Sequence, residues 1–101
     1  MTRPQEFASS VTDAAAGAAK SMPDDFRVSI TNAPGKNAYP ISTFTWLLIP
    51  SKINDAGKKK AVTSFLRWML KDGQKYCADL GYAPLPPEVV AKEEKVIATI
   101  Q

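Results

Sequence analysis

Only a few residues have the chemistry to act on a substrate. Cys77 is the one cysteine, with Lys75 and Asp79 close by. A nearby cation lowers a thiol's pKa and makes it a better nucleophile. Here the thiol sits mid-helix between Tyr76 and Ala78, and a small buried or half-buried residue is the preferred reading over a reactive thiol. One cysteine allows no internal disulfide and argues against a cysteine-based metal site. There is no histidine, so the commonest general base and metal ligand is missing and Ser-His-Asp or Cys-His nucleophiles are impossible within the chain. Two acid pairs occur, Asp24-Asp25 and Glu93-Glu94. Adjacent helix residues do not face each other, so Glu93-Glu94 is no acid/base dyad. Asp24-Asp25 reads as a solvated approach to a strand rather than a metal site. Ala33-Pro34-Gly35-Lys36 has the flavour of an anion loop, but lacks the glycine-rich pattern that cradles phosphate and opens a helix. Trp46, Phe65 and Trp68 could wall an aromatic ligand site; core packing is preferred because their spacings match core faces. No catalytic, phosphate-binding or metal-ligating residue is assigned, and no cofactor. Nothing supports an enzyme.

The elements that would position such groups follow from composition and pattern. The chain has 101 residues, 45% hydrophobic and 23% charged, which suits one domain or part of one. A chain of this size buries roughly two thirds of its unfolded surface. Its formal charge is +3, and Lys58-Lys59-Lys60 is the one dense basic cluster. Solvated lysines near a helix start are preferred there to a nucleic-acid contact. No stretch approaches the roughly 20 apolar residues of a membrane span, and no export signal is expected in the sequence as given.

The most apolar stretch is Tyr39 to Pro50. Its β-branched, aromatic and aliphatic residues suit a pleated, buried surface. Ile41, Thr43, Thr45, Leu47 and Ile49 point one way, and Ser42, Phe44, Trp46 and Leu48 the other. Both faces turn apolar toward Ile49, which predicts a central strand covered on both sides by helices. Pro40 and Pro50 belong at its ends. A buried helix of similar length is the alternative. Asp25 to Thr31 alternates and predicts a half-buried strand, with Phe26, Val28 and Ile30 inward. Asn32 to Asn37 is turn chemistry.

Helices are expected around these strands. Gln5 to about Ser21 is alanine-rich, with Phe7, Val11, Ala14, Ala15 and Ala18 in a thin stripe that needs a larger neighbour; Gly17 weakens it. Asn54 or Asp55 can cap a helix over about Ala56–Lys71. Its stripe is Val62, Phe65, Leu66, Met69 and Leu70, with Trp68 extending the buried face. A short helix is expected over Gln74–Leu80, pairing Tyr76 with Leu80 and closed by Gly81. After the proline-stiffened Tyr82–Pro87, a last helix begins near Pro87. Val89, Val90, Val96, Ile97 and Ile100 form its apolar side; Lys92, Glu93, Glu94 and Lys95 form its polar side.

Two long motifs carry more specific information. One runs from Arg27 to Leu48 through Asn32-Ala33-Pro34-Gly35-Lys36-Asn37-Ala38-Tyr39-Pro40. The other is Phe65-Leu66-Arg67-Trp68-Met69-Leu70-Lys71-Asp72-Gly73-Gln74-Lys75-Tyr76, continuing through Leu80-Gly81-Tyr82-Ala83-Pro84-Leu85-Pro86 to Val89-Val90. In this order and spacing they resemble the C-terminal part of the periplasmic phosphate-binding protein of bacterial ABC phosphate importers. The resemblance covers most of the chain from about Ser21.

That resemblance implies an α/β chain from a two-lobed, type II periplasmic-binding-protein fold. Residues 1–40 would supply a helix and strand of the second lobe, and residues 41–101 the C-terminal part of the first. The family's phosphate contacts lie upstream of anything in this sequence, so no ligand carries over. The implied function is a phosphate-binding component of the import system, present as a C-terminal fragment or truncated member. Inorganic phosphate and a membrane permease are the partners of the full-length family, which is periplasmic. This chain itself is expected to need the missing N-terminal segment or to self-associate, and not to bind nucleic acid. The alternative is an autonomous small α/β binding or assembly module with an anionic partner.

Overall fold

The computed structural model describes residues 4–101, with side chains from Ala8 onward. Three α-helices organise it: α1 Pro4–Ala18, α2 Ala56–Leu70 and α3 Pro87–Ile97. Asp55 caps α2, its carboxylate accepting the Lys58 N–H at 3.0 Å, which satisfies one donor left open at a helix start. Pro87 opens α3 and Glu88 lies in its first turn, as the residue types predict. The expected helix over Gln74–Leu80 is instead a pair of 3₁₀ segments, Asp72–Tyr76 and Ala78–Leu80. Gly81 closes the second with φ 80°, the left-handed turn glycine adopts without strain.

The core gathers around α1 and α3. Ala15 and Ala18 pack on Ile30, with Ala33 and Phe44 against them. Ala19 and Met22 pack on Val89, joined by Phe26, Val28 and Leu85. Leu66, Leu70 and Ile97 form a third cluster between α2 and α3. The alanine stripe of α1 thus finds its larger neighbours in the loop side chains of Ile30 and Phe44. Phe7 lies outside the residues whose side chains are described. Gly17 has a packing role: a Cβ there would collide with the Pro34 carbonyl oxygen. The turn it admits is built as read, with Asn32 and Gly35 at positive φ and the Asn32 N–H donating to the Pro40 carbonyl at 2.8 Å.

The expected central strand is not formed, and the α/β layering with it. No β-ladder occurs among the described residues. Thr43–Leu48 is mostly exposed: Leu48 is 93% accessible and Leu47 55%. The reason is a lack of neighbours. A strand apolar on both faces needs partners on both edges, and none of the described residues forms a ladder with it. The 26–30 segment keeps its predicted alternation, with Ile30 buried, Phe26 and Val28 half-buried, and Arg27 and Ser29 exposed. The expected strand is not formed: it has no ladder, and its start is a tight turn, with Phe26 at φ 61° and the Val28 N–H donating to the Phe26 carbonyl at 3.0 Å. It is joined to the central stretch by the Trp46 Nε1–H bond to the Phe26 carbonyl at 2.9 Å and by Phe44, which packs against the Ile30 cluster.

The chain is correspondingly open. Its radius of gyration is 14.7 Å, against about 13 Å for a compact domain of this length. It exposes 7473 Å², whereas a folded monomer of 11.0 kDa exposes about 5,600 Å².

Candidate functional site

A groove of about 660 Å³ is lined by residues 24–26 and 44–51, by Leu85, and by residues of α2 and of α3 with its C-terminal turn. Leu66, Leu70, Val89 and Ile97 form its floor, and Phe44, Trp46 and Leu47 its opposite wall. The stretch over it is strung between two anchors. At one end Asn32 holds Pro40. At the other the Gln101 N–H donates to the Ser51 carbonyl at 2.9 Å, and the Ile53 N–H to the Gln101 carbonyl at 2.7 Å.

Glu93 is the one charged residue that α2 and α3 put into this lining. It is half-buried, and burial raises its carboxyl above the ordinary 4.5. It does not belong to the solvent face of α3 as the run Lys92–Lys95 suggested. Val89, Glu93 and Ile97 follow each other at i, i+4 and i+8 on one helix face, and that spacing was the signal for its position. Lys92 does turn away, its Nζ donating to the Met22 carbonyl at 3.2 Å. A carboxylate in an apolar groove repels a phosphate dianion and offers it no donor. The groove suits apolar chain, not an oxyanion.

Asp24, Asp25 and Trp46 line the same groove as Glu93, whereas Cys77, Phe65 and Trp68 do not. Cys77 is half-buried, its Sγ 3.9 Å from the Gln74 Oε1; Gln74 is occupied in fixing the chain, accepting the Leu85 N–H at 2.7 Å. Asp24 and Asp25 are exposed, and Asp25 closes a local turn on the Arg27 N–H at 3.0 Å. No group of acidic or sulfur ligands suited to a metal occurs among the described residues. Core packing fails for the aromatics of α2. Phe65 is 57% accessible and Trp68 46%; they stack at 6.1 Å, and Tyr76 continues the row at 6.2 Å from Trp68. Tyr76 and Leu80 are likewise exposed and make no buried pair. No described helix is long and apolar enough to cross a membrane.

Comparison with known proteins finds relatives much longer than this chain. It is 40% identical over 90 residues to the phosphate-binding protein PstS of Xylella fastidiosa strain Temecula1, a match to 89% of this chain and 25% of that protein. The PstS of Pasteurella multocida is 32% identical over 88 residues, again 87% of this chain and 26% of the relative. An archaeal PstS, from Methanocaldococcus jannaschii, is 45% identical over 64 residues. The chain matches a segment of phosphate-binding proteins. The resemblance carried by the two motifs is therefore shown, and the chain spans about a quarter of the length of the curated relatives it matches. No protein-family model matches it.

Proposed function

We propose that this chain is part of the solute-binding component of an ABC phosphate import system, a part that holds none of the phosphate contacts itself. The carrying observation is the 40% identity to a phosphate-binding protein along 89% of the chain. In this reading residues 1–40 belong to the second lobe and residues 41–101 to the C-terminal part of the first. The complete protein works in the periplasm, takes inorganic phosphate, and delivers it to a membrane permease. It carries out no catalysis.

The geometry supports the division of labour. Tight selection of a dianion needs many convergent donors in a closed, dry cleft. The groove described above is largely apolar and open, and its charged lining residues, Asp24, Asp25 and Glu93, are all acidic. Its shape fits a lobe whose sheet is completed by further strands laid beside residues 43–49. No observation favours the autonomous anion-binding module: the lysines of α2 stand on a solvated face.

Calorimetry with phosphate at neutral pH tests the proposal. The chain alone is expected to give no binding heat. Mixed with the remaining part of the Xylella fastidiosa relative, it is expected to restore phosphate binding. A dissociation constant in the low micromolar range or below for the chain alone would overturn the reading.

A further inference from the structure

We infer that Gln74 is a latch that ties the end of α2 to the extended strap of residues 82–86 and so sets where α3 begins. The inference rests on contacts that are made, not on surface left open, and stands independently of the phosphate reading. The Gln74 Nε2–H donates to the Met69 carbonyl at 3.0 Å, and the Gln74 Oε1 accepts the Leu85 N–H at 2.7 Å. Each partner is short of alternatives. The Met69 carbonyl belongs to the last turn of α2, where carbonyls have no partner within the helix. Leu85 is the one residue of Pro84-Leu85-Pro86-Pro87 with a backbone N–H, because proline has none. Over these four residues the chain has no second donor with which to replace the contact.

Three features make this contact a positioning device. The first is what it places. The Leu85 side chain packs against the Ala19–Met22–Val89 cluster and against the Leu66–Leu70–Ile97 cluster, so it joins the α1 side of the core to the α2–α3 side. It also lines the groove. Pro86, the next residue, is buried, and its carbonyl accepts the Val89 and Val90 N–H groups of α3 at 3.1 Å each. The second is how the rest of the strap is held. The Thr12 hydroxyl donates to the Pro84 carbonyl at 2.6 Å, and the Tyr82 N–H to the Cys77 carbonyl at 2.8 Å. These bonds fix the strap to α1 and to its own approach; Gln74 adds the tie to α2. The third is the chemistry of the side chain. A carboxamide carries a donor and an acceptor on one planar group, and the latch uses both. An ionised carboxylate of the same shape has no donor for the Met69 carbonyl, and a thioether of similar length has none either.

Amide exchange of the full chain is the test, with Gln74→Met and Gln74→Glu as variants. The reading is the protection factor of the Leu85 N–H relative to the interior amides of α2. In Gln74→Met that ratio is expected to fall about ten-fold, the scale of one lost buried hydrogen bond. In Gln74→Glu it is expected to fall at neutral pH and to recover as the introduced carboxyl takes up a proton, which restores an O–H donor toward Met69. Gln74→Met recovers nothing on acidification, so the pair separates the latch from a general loss of packing. A parent whose Leu85 N–H exchanges like an open amide overturns the inference. So does an unchanged ratio in Gln74→Met, a loss spread evenly over the three helices, or a Gln74→Glu variant with the same pH dependence as Gln74→Met.

Discussion

The α1 side of the molecule and the 43–50 stretch differ in how their apolar residues end up. Ala14, Ala18, Ile30 and Val89 are almost wholly removed from water, whereas Ile41, Leu47 and Leu48 are largely left in it. Both regions read as apolar pattern in the sequence. What separates them is whether the pattern's partner is in the same chain. A helix satisfies its own backbone and needs only one covered face. A strand needs two edges and, when apolar throughout, two faces. The helices therefore form here and the sheet does not.

The largest effect expected from that contrast is in the closed region. Ile30→Ala removes a side chain that is 1% accessible and should cost about 2–5 kcal/mol. Leu48→Ala, at 93% accessible, should stay within about 0.5 kcal/mol in dilute solution. Urea denaturation of the two variants checks the pair, and equal losses would break the comparison. Gly17→Ala comes next. Its added methyl meets the Pro34 carbonyl, so it should destabilise by about 1–3 kcal/mol through overpacking, even though alanine is the better helix former. A stabilised variant in thermal unfolding would show that the 31–38 turn does not seat on α1. Asp55→Ala should cost about 1 kcal/mol by removing the α2 cap, read as a lower urea midpoint.

How much of this was legible in the sequence depends on the range of the interaction. The cap at Asp55, the start at Pro87, the left-handed Gly81 and the turn at Pro34-Gly35 are set by side chains within a few residues, and all were readable. The alternation of Phe26, Val28 and Ile30 was readable too, because it survives without a sheet. The central strand was not, since its pattern describes an environment of neighbouring strands that the described residues do not supply. Phe65 and Trp68 misled for the same reason: their spacing reports a face to be covered, not a face that is covered here. Glu93 was misplaced because a charged run hid its position on the Val89–Ile97 row.

A smaller effect sharpens the groove side of the contrast. The Glu93 carboxyl is raised above its ordinary value by burial, so the folded chain holds its proton more tightly than the unfolded chain does. Stability then increases as pH falls through the raised pKa toward the ordinary 4.5, and is lost as pH rises back through the raised pKa. Glu93→Gln should be more stable than the parent at neutral pH and should lose this dependence. Thermal melts of both between neutral and mildly acidic pH check it; a parent that loses stability over that window through Glu93 would contradict the groove's burial of the carboxyl.

Amide hydrogen exchange in dilute solution addresses the contrast most directly. The helical amides of Ala14, Ala15 and Ala18 and those of α3 should be the best protected in the chain. The amides of residues 43–49 should exchange at close to unprotected rates, since their donors are open within one copy. Protection of residues 43–49 equal to that of α3 in the dilute monomer would contradict the account, because it would mean that a single copy completes its own sheet.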